Sequence, residues 1–362
     1  MSSAAAFDMV VIGSGGGPDE QFLSSYLLKP ARKSWEDGII ALEAGSGPGA
    51  LKRLLHKNPN LFGDEPRSAA EIFSSIQCYL ITHAHLDHIN GLIISAGTVT
   101  LKGPRKRVYG VKKALEDLET VFSDRIWPNL ASWKEEDEDY KLLYSAVSPN
   151  ETYQAIFPDV SVQTVVINHG SNQSGTYESA AFFVRDDISK QEFIFFGDVE
   201  PDSLAAVPRT INVWRLAAPR IGHTLSTIFI ECSWPSGRPD DCLFGHLNPE
   251  HLTNELTALA TEVYYHRNSQ QTTSKSVKPQ KKRQKRNPPT LGELRGVLDG
   301  VRVYIIHCKD QLDEPLDRPM REVIWEQVKS LMNPLELGVE ILSAAPGMHI
   351  GRSSPQILLA LC

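Results

Sequence analysis

A chain of 362 residues, 41% hydrophobic and 22% charged, can bury a full core as one large unit or two intimate halves, which excludes a wholly disordered protein. Its net charge of −7 argues against broad adhesion to a nucleic-acid backbone, because such binding needs a basic surface to displace counterions. A small anion held by locally concentrated cations remains compatible with that charge.

In chain order, the apolar run at 9–12 reads as a buried strand, and the glycine cluster at 13–18 as a tight turn beside a cleft. That cluster is not a dinucleotide fingerprint, since Pro18 interrupts the register and no helical pattern follows. Further strands are expected at 38–42, 78–81, 162–167, 180–184, 192–196, 227–230 and 301–306. Helical spacing is expected at 50–56, at 111–122 through Val111, Leu115, Leu118, Val121 and Phe122, and at 249–264 and 319–332. The acidic run at 134–139 reads as a solvated surface loop. The stretch 268–290 is polar and carries too little apolar surface to bury, so it reads as a disordered insertion bearing the basic run Lys281-Lys282-Arg283-Gln284-Lys285-Arg286. Strands with helices interspersed suggest sheets covered by helices.

No stretch reaches the roughly 18 apolar residues of a membrane-spanning helix, and the N-terminal segment lacks the basic start of a signal peptide. Five cysteines without paired spacing leave an odd thiol. These features point to a cytoplasmic protein in a reducing compartment and to no membrane association; the basic run reads as a flexible surface loop, with a nuclear import signal or an RNA contact as its alternatives.

The run at 78–81 leads directly into Thr82-His83-Ala84-His85-Leu86-Asp87-His88. Three imidazoles and a carboxylate just beyond a buried strand are nitrogen and oxygen donors suited to zinc-like ions. His83 and His85, two apart on extended backbone, face the same side and can share one ion, while Asp87 and His88 on the following turn can reach a second. A histidine-rich surface turn is the alternative. Against it, three more strand-like runs end in the donors such a centre still needs: His169, Asp198 and His307. His56, His223, His251, His266 and His349 lack such a context and read as surface or structural residues.

The order His-x-His-x-Asp-His, then His, Gly-Asp and a last His, resembles the metallo-β-lactamase superfamily. Within it the chain resembles the class II, fungal-type cyclic nucleotide phosphodiesterases, through His83 to Ile94, Gly197-Asp198-Val199-Glu200, Glu231-Cys232-Ser233 and Gly245-His246-Leu247-Asn248-Pro249. Gly15-Gly16-Gly17-Pro18, Leu28-Lys29-Pro30-Ala31-Arg32 and Ile126-Trp127-Pro128-Asn129-Leu130 add to it. Ser95-Ala96-Gly97 departs from the family pattern, but beyond the ligands. The resemblance implies an α+β fold, a metallo-β-lactamase-like αββα sandwich, with 1–362 as a single phosphodiesterase domain. It implies two divalent metal ions, zinc foremost: one on His83, His85 and His169, the other on Asp87, His88 and His307, with Asp198 bridging.

The implied reaction is hydrolysis of 3′,5′-cyclic nucleotides, cyclic AMP and also cyclic GMP, to nucleoside 5′-phosphates, which terminates cyclic nucleotide signalling. Two ions about 3.5–4 Å apart activate hydroxide and neutralise charge on phosphorus oxygens. His246 is the candidate proton donor to the leaving oxygen, against the reading of a structural turn histidine. Glu231 and Asp87 are candidate acceptors that orient imidazoles. A homodimer is also implied. Two rival readings are an RNA-processing metallo-endonuclease and a catalytically inactive metal-binding scaffold. The first fits the net charge poorly, and the second fits poorly with a complete set of ligand types.

Overall fold

Strands buried on both faces need apolar side chains at every position, and the continuous apolar runs of this chain form such strands. The computed structural model describes residues 5–97, 105–150, 152–173, 175–273, 288–310 and 318–351. The first half supplies β1 (Phe7–Gly13), β2 (Ser25–Pro30), β3 (Ile39–Leu42), β4 (Ile76–Leu80), β5 (Lys106–Gly110), β6 (Ala131–Ser132) and β7 (Leu142–Ala146). Its helices are α1 (Pro48–Lys57), α2 (Ala69–Ser75), α3 (Leu86–Ser95) and α4 (Lys112–Val121). The second half supplies β8 (Gln154–Phe157), β9 (Val160–Asn172), β10 (Gly175–Asp186), β11 (Glu192–Phe196), β12 (Leu225–Glu231), β13 (Arg302–Ile306) and β14 (Glu340–Ser343). With them come α5 (Thr210–Ala217), α6 (Pro249–Thr273), α7 (Leu291–Leu294) and α8 (Met320–Met332), and β15 (His349–Ile350) returns to pair with β1.

One sheet runs β15-β1-β2-β3-β4-β5-β7-β6 and the other β14-β13-β12-β11-β10-β9-β8. Side chains alternate along each strand and so separate three cores. Met9, Val11, Tyr26, Leu28, Phe182, Phe195 and Phe229 fill the space between the sheets. Val10, Ile12 and Leu27 face the other way, against Leu51 and Leu54 of α1, Ile89 and Leu92 of α3, and Leu115 of α4. Across the molecule, Ala181, Phe183, Ile194 and Phe196 pack on Val213 and Trp214 of α5, Leu256 and Leu259 of α6, and Ile324 of α8. Helices, sheet, sheet and helices are the αββα layers implied by the resemblance.

Several expectations change. The turn expected at Asp87 and His88 is the first turn of α3, where Asp87 sits favourably at the positive end of the helix dipole. The α3 pattern is obscured by Gly91, which is needed because a Cβ there would stand 2.5 Å from the carbonyl of Ser46. β9 runs on past residue 167 to Asn172, so His169 lies within the strand instead of after it. α6 continues to Thr273, six residues into the segment expected to be disordered, and Thr290 caps α7 in a reciprocal pair with Glu293. Residues 274–287, with the basic run at 281–286, lie outside the described residues.

The edge of the sandwich away from the strand ends that carry the histidines is tied by charge. Lys29 Nζ donates to Asp8 Oδ2 at 2.7 Å, both side chains are buried, and the ammonium lies 5.2 Å from the Trp35 ring centroid. Arg32 reaches from the end of β2 to the other sheet, donating to both oxygens of Asp186 at 2.8 Å. Removing one partner of a buried pair strands the other charge, whereas replacing both with apolar side chains does not. Lys29→Met is therefore expected to lower unfolding free energy by about 3–5 kcal/mol in urea titrations. The double variant Asp8→Leu, Lys29→Met is expected to recover most of that loss.

Candidate metal centre

Strands β4, β9, β11 and β13 all end at one edge, and each delivers a donor there: His83 after β4, His169 near the end of β9, Asp198 after β11 and His307 after β13. Their convergence follows from strand direction, since β11, β12 and β13 are parallel to one another. The close approach also needs backbone without a side chain: a Cβ on Gly16 would lie 2.4 Å from the His307 ring. The glycine cluster is thus a turn pressed against the site, as expected from the sequence.

The donors form two groups, His83, His85, His169 and Asp198, and Asp87, His88 and His307, in each of which one ligand atom per residue lies within 4.8 Å of the others. Asp198 joins both: its oxygens lie 3.6 Å from His83 Nε2, 3.4 Å from His169 Nε2, and 3.3 Å from the Nε2 atoms of His88 and His307. A further grouping of Asp198, His246 and His307 overlaps these. His85 is the exposed member, its ring stacked on Tyr177 at 4.6 Å and 7°.

The residues fit divalent ions. His88 Nε2 and His307 Nε2 face each other at 3.0 Å, and His85 Nδ1 faces His169 Nε2 at 3.1 Å; each pair of lone pairs needs a proton or a cation between them. Buried His83 Nε2 and Asp198 Oδ1 have no hydrogen-bond partner in the protein, which leaves two inward donors for an ion. Desolvation pushes buried His169 down to about 4, and desolvation among the packed side chains with repulsion from His169 does the same to His85 although that residue is exposed, so both are neutral, ligand-ready imidazoles at neutral pH. Burial alone would raise Asp198, but His307, His88, His169 and His83 outweigh it and hold the carboxylate well below its usual range. His88 is the exception: burial opposes its charge, yet Asp198, Asp87 and Glu43 raise it well above the ordinary value, so its proton supplies positive charge where a cation fits.

The outer nitrogens of His83, His169 and His307 have hydrogen-bond partners. Thr82 Oγ1 lies 3.0 Å from His83 Nδ1, the Gly245 carbonyl 2.9 Å from His169 Nδ1, and Ser233 Oγ 3.0 Å from His307 Nδ1. Glu43 Oε2 faces His88 Nδ1 at 3.6 Å, while Glu43 Oε1 accepts from Thr82 N at 3.2 Å. Asp87 belongs to the donor group itself, 3.1 Å from His307 Nε2, and takes up no imidazole's outer nitrogen. Glu231 reaches His307 only through Ser233, and its own imidazole partner is His246, whose Nδ1 lies 2.9 Å away. Burial raises Glu231 to about 7, with Asp198 adding to the rise, and burial lowers His246 to about 4.

Sequence reasoning missed Glu43, Thr82, Tyr177, Ser233 and Lys309, whose Nζ lies 3.8 Å from Asp87. Glu43 follows a short apolar strand, the signal that flagged Asp198, and was legible on that basis. The others have no sequence pattern. Of the histidines read as structural, His251 pairs with Asp240 at 2.9 Å at the start of α6, as such a role requires.

A family model described as cAMP phosphodiesterases class-II matches residues 60–347. The 3′,5′-cyclic-nucleotide phosphodiesterase of Schizosaccharomyces pombe is 33% identical over 276 residues, covering 71% of this chain and 76% of that protein. Unliganded yeast PDE1 superposes with a TM-score of 0.76 at 25% identity, covering 95% of this chain and 99% of that one. The metallo-β-lactamase fold protein YhfI from Bacillus subtilis, at 14% identity and a TM-score of 0.53 over 95% of this chain and 98% of its own, shares the fold.

Two outcomes follow. Asp198→Asn removes the charge common to both groups, and elemental analysis after dialysis is expected to fall from about two ions per chain to less than one. For the metal-free chain, a histidine with a folded pKa near 4 protonates more readily when unfolded, so stability is gained as pH rises from about 4 to the free value near 6.5. His83 and His307 act in the same direction; Glu231 opposes them within this window, and His88, raised above its free value, opposes them only above about 6.5. The urea midpoint after chelation is expected to rise across that window, and a flat profile would contradict the assignment.

Proposed function

The chain belongs to the class-II cAMP phosphodiesterases, and from that premise we propose that it hydrolyses the 3′,5′-phosphodiester of cyclic AMP, and of cyclic GMP, to nucleoside 5′-phosphate. One observation carries the mechanism: two donor groups, with Asp198 a member of one and 3.3 Å from His88 and His307 of the other, stand beside a buried His246–Glu231 pair.

His83, His85, His169 and Asp198 would hold one ion, and Asp87, His88, His307 and Asp198 the other; five imidazoles with two carboxylates suit zinc. Bound divalent ions at such a centre polarise phosphoryl oxygens and lower the pKa of water. The protein orients the ligands. Thr82, Ser233 and the Gly245 carbonyl each engage an outer nitrogen and thereby fix which ring atom points inward, while Glu43 faces His88 Nδ1 at 3.6 Å as a counter-charge.

Hydrolysis adds water across the P–O3′ bond, with oxygen going to phosphorus and a proton to the departing 3′ oxygen. His246 delivers that proton. Glu231 and Ser233 engage its Nδ1, leaving Nε2 as the donating atom. Burial favours the neutral forms of both His246 and Glu231, so the pair holds a single proton near neutrality and can pass it outward. Lys309, close to Asp87, adds positive charge for an anionic substrate. The same reading has the chain acting as one catalytic domain, as a homodimer, in the cytoplasm and also the nucleus. The cytoplasmic part is supported by Cys78, Cys232, Cys242 and Cys308, which are all free.

Chromatography of cyclic AMP, cyclic GMP and a precursor tRNA incubated with metal-loaded protein is expected to show 5′-nucleotide from the cyclic compounds and intact RNA. No 5′-nucleotide from either cyclic compound would overturn the reading. His246→Ala is expected to lower kcat about 10²–10⁴-fold while retaining metal. The loss is expected to be far smaller on a p-nitrophenyl diester, whose leaving group needs no proton.

A further inference from the structure

Among the described residues, the non-glycine positions with left-handed backbone are Glu43, Asp124, Asp159, Lys190, Phe244, His307 and Glu336. Asp124, Asp159, Lys190 and Glu336 are exposed turn residues, as is usual for this conformation. The other three border the metal centre. Strain at Glu43 and His307 is accounted for by what their side chains reach, His88 in one case and Asp198 in the other. Phe244 has no such account among the described residues.

Phe244 combines two unfavourable choices. A bulky residue at φ 53° is strained where glycine would not be, and this residue is 68% exposed although its neighbour Leu243 is 1% exposed. The loop is otherwise well held: Trp234 Nε1 donates to the Leu243 carbonyl at 3.1 Å and Arg238 Nε to the Cys242 carbonyl at 2.6 Å. Arg238 lies 3.6 Å from the Trp234 ring centroid and 5.9 Å from that of Phe244. At the other end of this row, Lys309 Nζ is 6.0 Å from the Trp234 centroid and 3.8 Å from Asp87. Phe244 itself directly precedes Gly245, whose carbonyl engages His169, and His246. An aromatic and cationic rim therefore starts beside the metal ligands and ends in an exposed phenylalanine.

We propose that Phe244, backed by Arg238 and Trp234, is the platform on which the purine base of the cyclic nucleotide stacks, so that this loop is the base-recognising element of the site. The proposal rests on the phosphodiesterase reading above. An anion carrying a flat heteroaromatic group matches the rim at both ends, with the phosphate toward the metal ligands and Lys309 and the base against the phenyl face. The strain is then offset when a base covers the ring.

The test uses the metal-loaded full chain and calorimetric binding of adenosine 5′-phosphate and ribose 5-phosphate, which differ only in the base. The wild type is expected to bind the nucleotide more tightly. Phe244→Ala is expected to weaken the nucleotide by about 10-fold, the scale of one lost base stack, and to leave ribose 5-phosphate unchanged. Phe244→Trp is expected to keep the preference. Phe244→Gly is expected to lose it while melting no lower than the wild type, because glycine relieves the left-handed strain. Equal binding of the two ligands by the wild type, an unchanged ratio in Phe244→Ala, or a lower Tm in Phe244→Gly overturns the proposal. Failure of the phosphodiesterase reading is seen separately, as wild-type protein that makes no 5′-nucleotide from cyclic AMP.

Discussion

Asp198 is buried at the meeting point of five imidazoles, its oxygens 3.3–3.7 Å from nitrogens of His83, His88, His169, His246 and His307. Five imidazoles in one buried volume repel as soon as they charge and lose hydration whether they charge or not. A carboxylate at their centre resolves this, both directly and by making the site a cradle for cations. The fold follows from that requirement. Strands β4, β9, β11 and β13 must end at one edge, on two sheets that face each other, for their donors to meet there.

Orientation is set one layer further out. The outer nitrogens of His83, His169 and His307 meet Thr82, the Gly245 carbonyl and Ser233, and Glu43 stands 3.6 Å from that of His88; these groups come from three strand ends and one loop. Ser233 links His307, His246 and Glu231, so the ligand group and the proton-donating pair are mechanically connected. Side chains fixed in this way need not reorganise when substrate arrives, which is where much of the catalytic advantage of a buried polar site originates.

Burial and strain are distributed unevenly across the sandwich. At the edge remote from the site, Lys29–Asp8 and Arg32–Asp186 tie strands and sheets with satisfied pairs. At the site edge, left-handed backbone at Glu43, His307 and Phe244 and inward donors without protein partners are retained. Stability is concentrated where no chemistry occurs and given up where it does.

The local pattern of the chain determined much of this. Continuous apolar runs identified doubly covered strands at β1, β3, β4 and β9 to β13, because burial on both faces leaves no room for alternation. The spacing from His83 to His88, with donors at three later strand ends, identified the seven metal-ligating candidates. Short or weakly apolar elements such as β5, β7, β14 and α5 were not legible, since their burial comes from neighbours remote in sequence. The glycine within α3 hid a helix whose close packing on the Ser46 carbonyl is what demands that glycine. Glu43 against His88, Ser233 between His307 and Glu231, and the row from Lys309 to Phe244 were decided only by tertiary structure. Each depends on distances between residues many positions apart, and a one-dimensional pattern carries periodicity and donor type but no such distances.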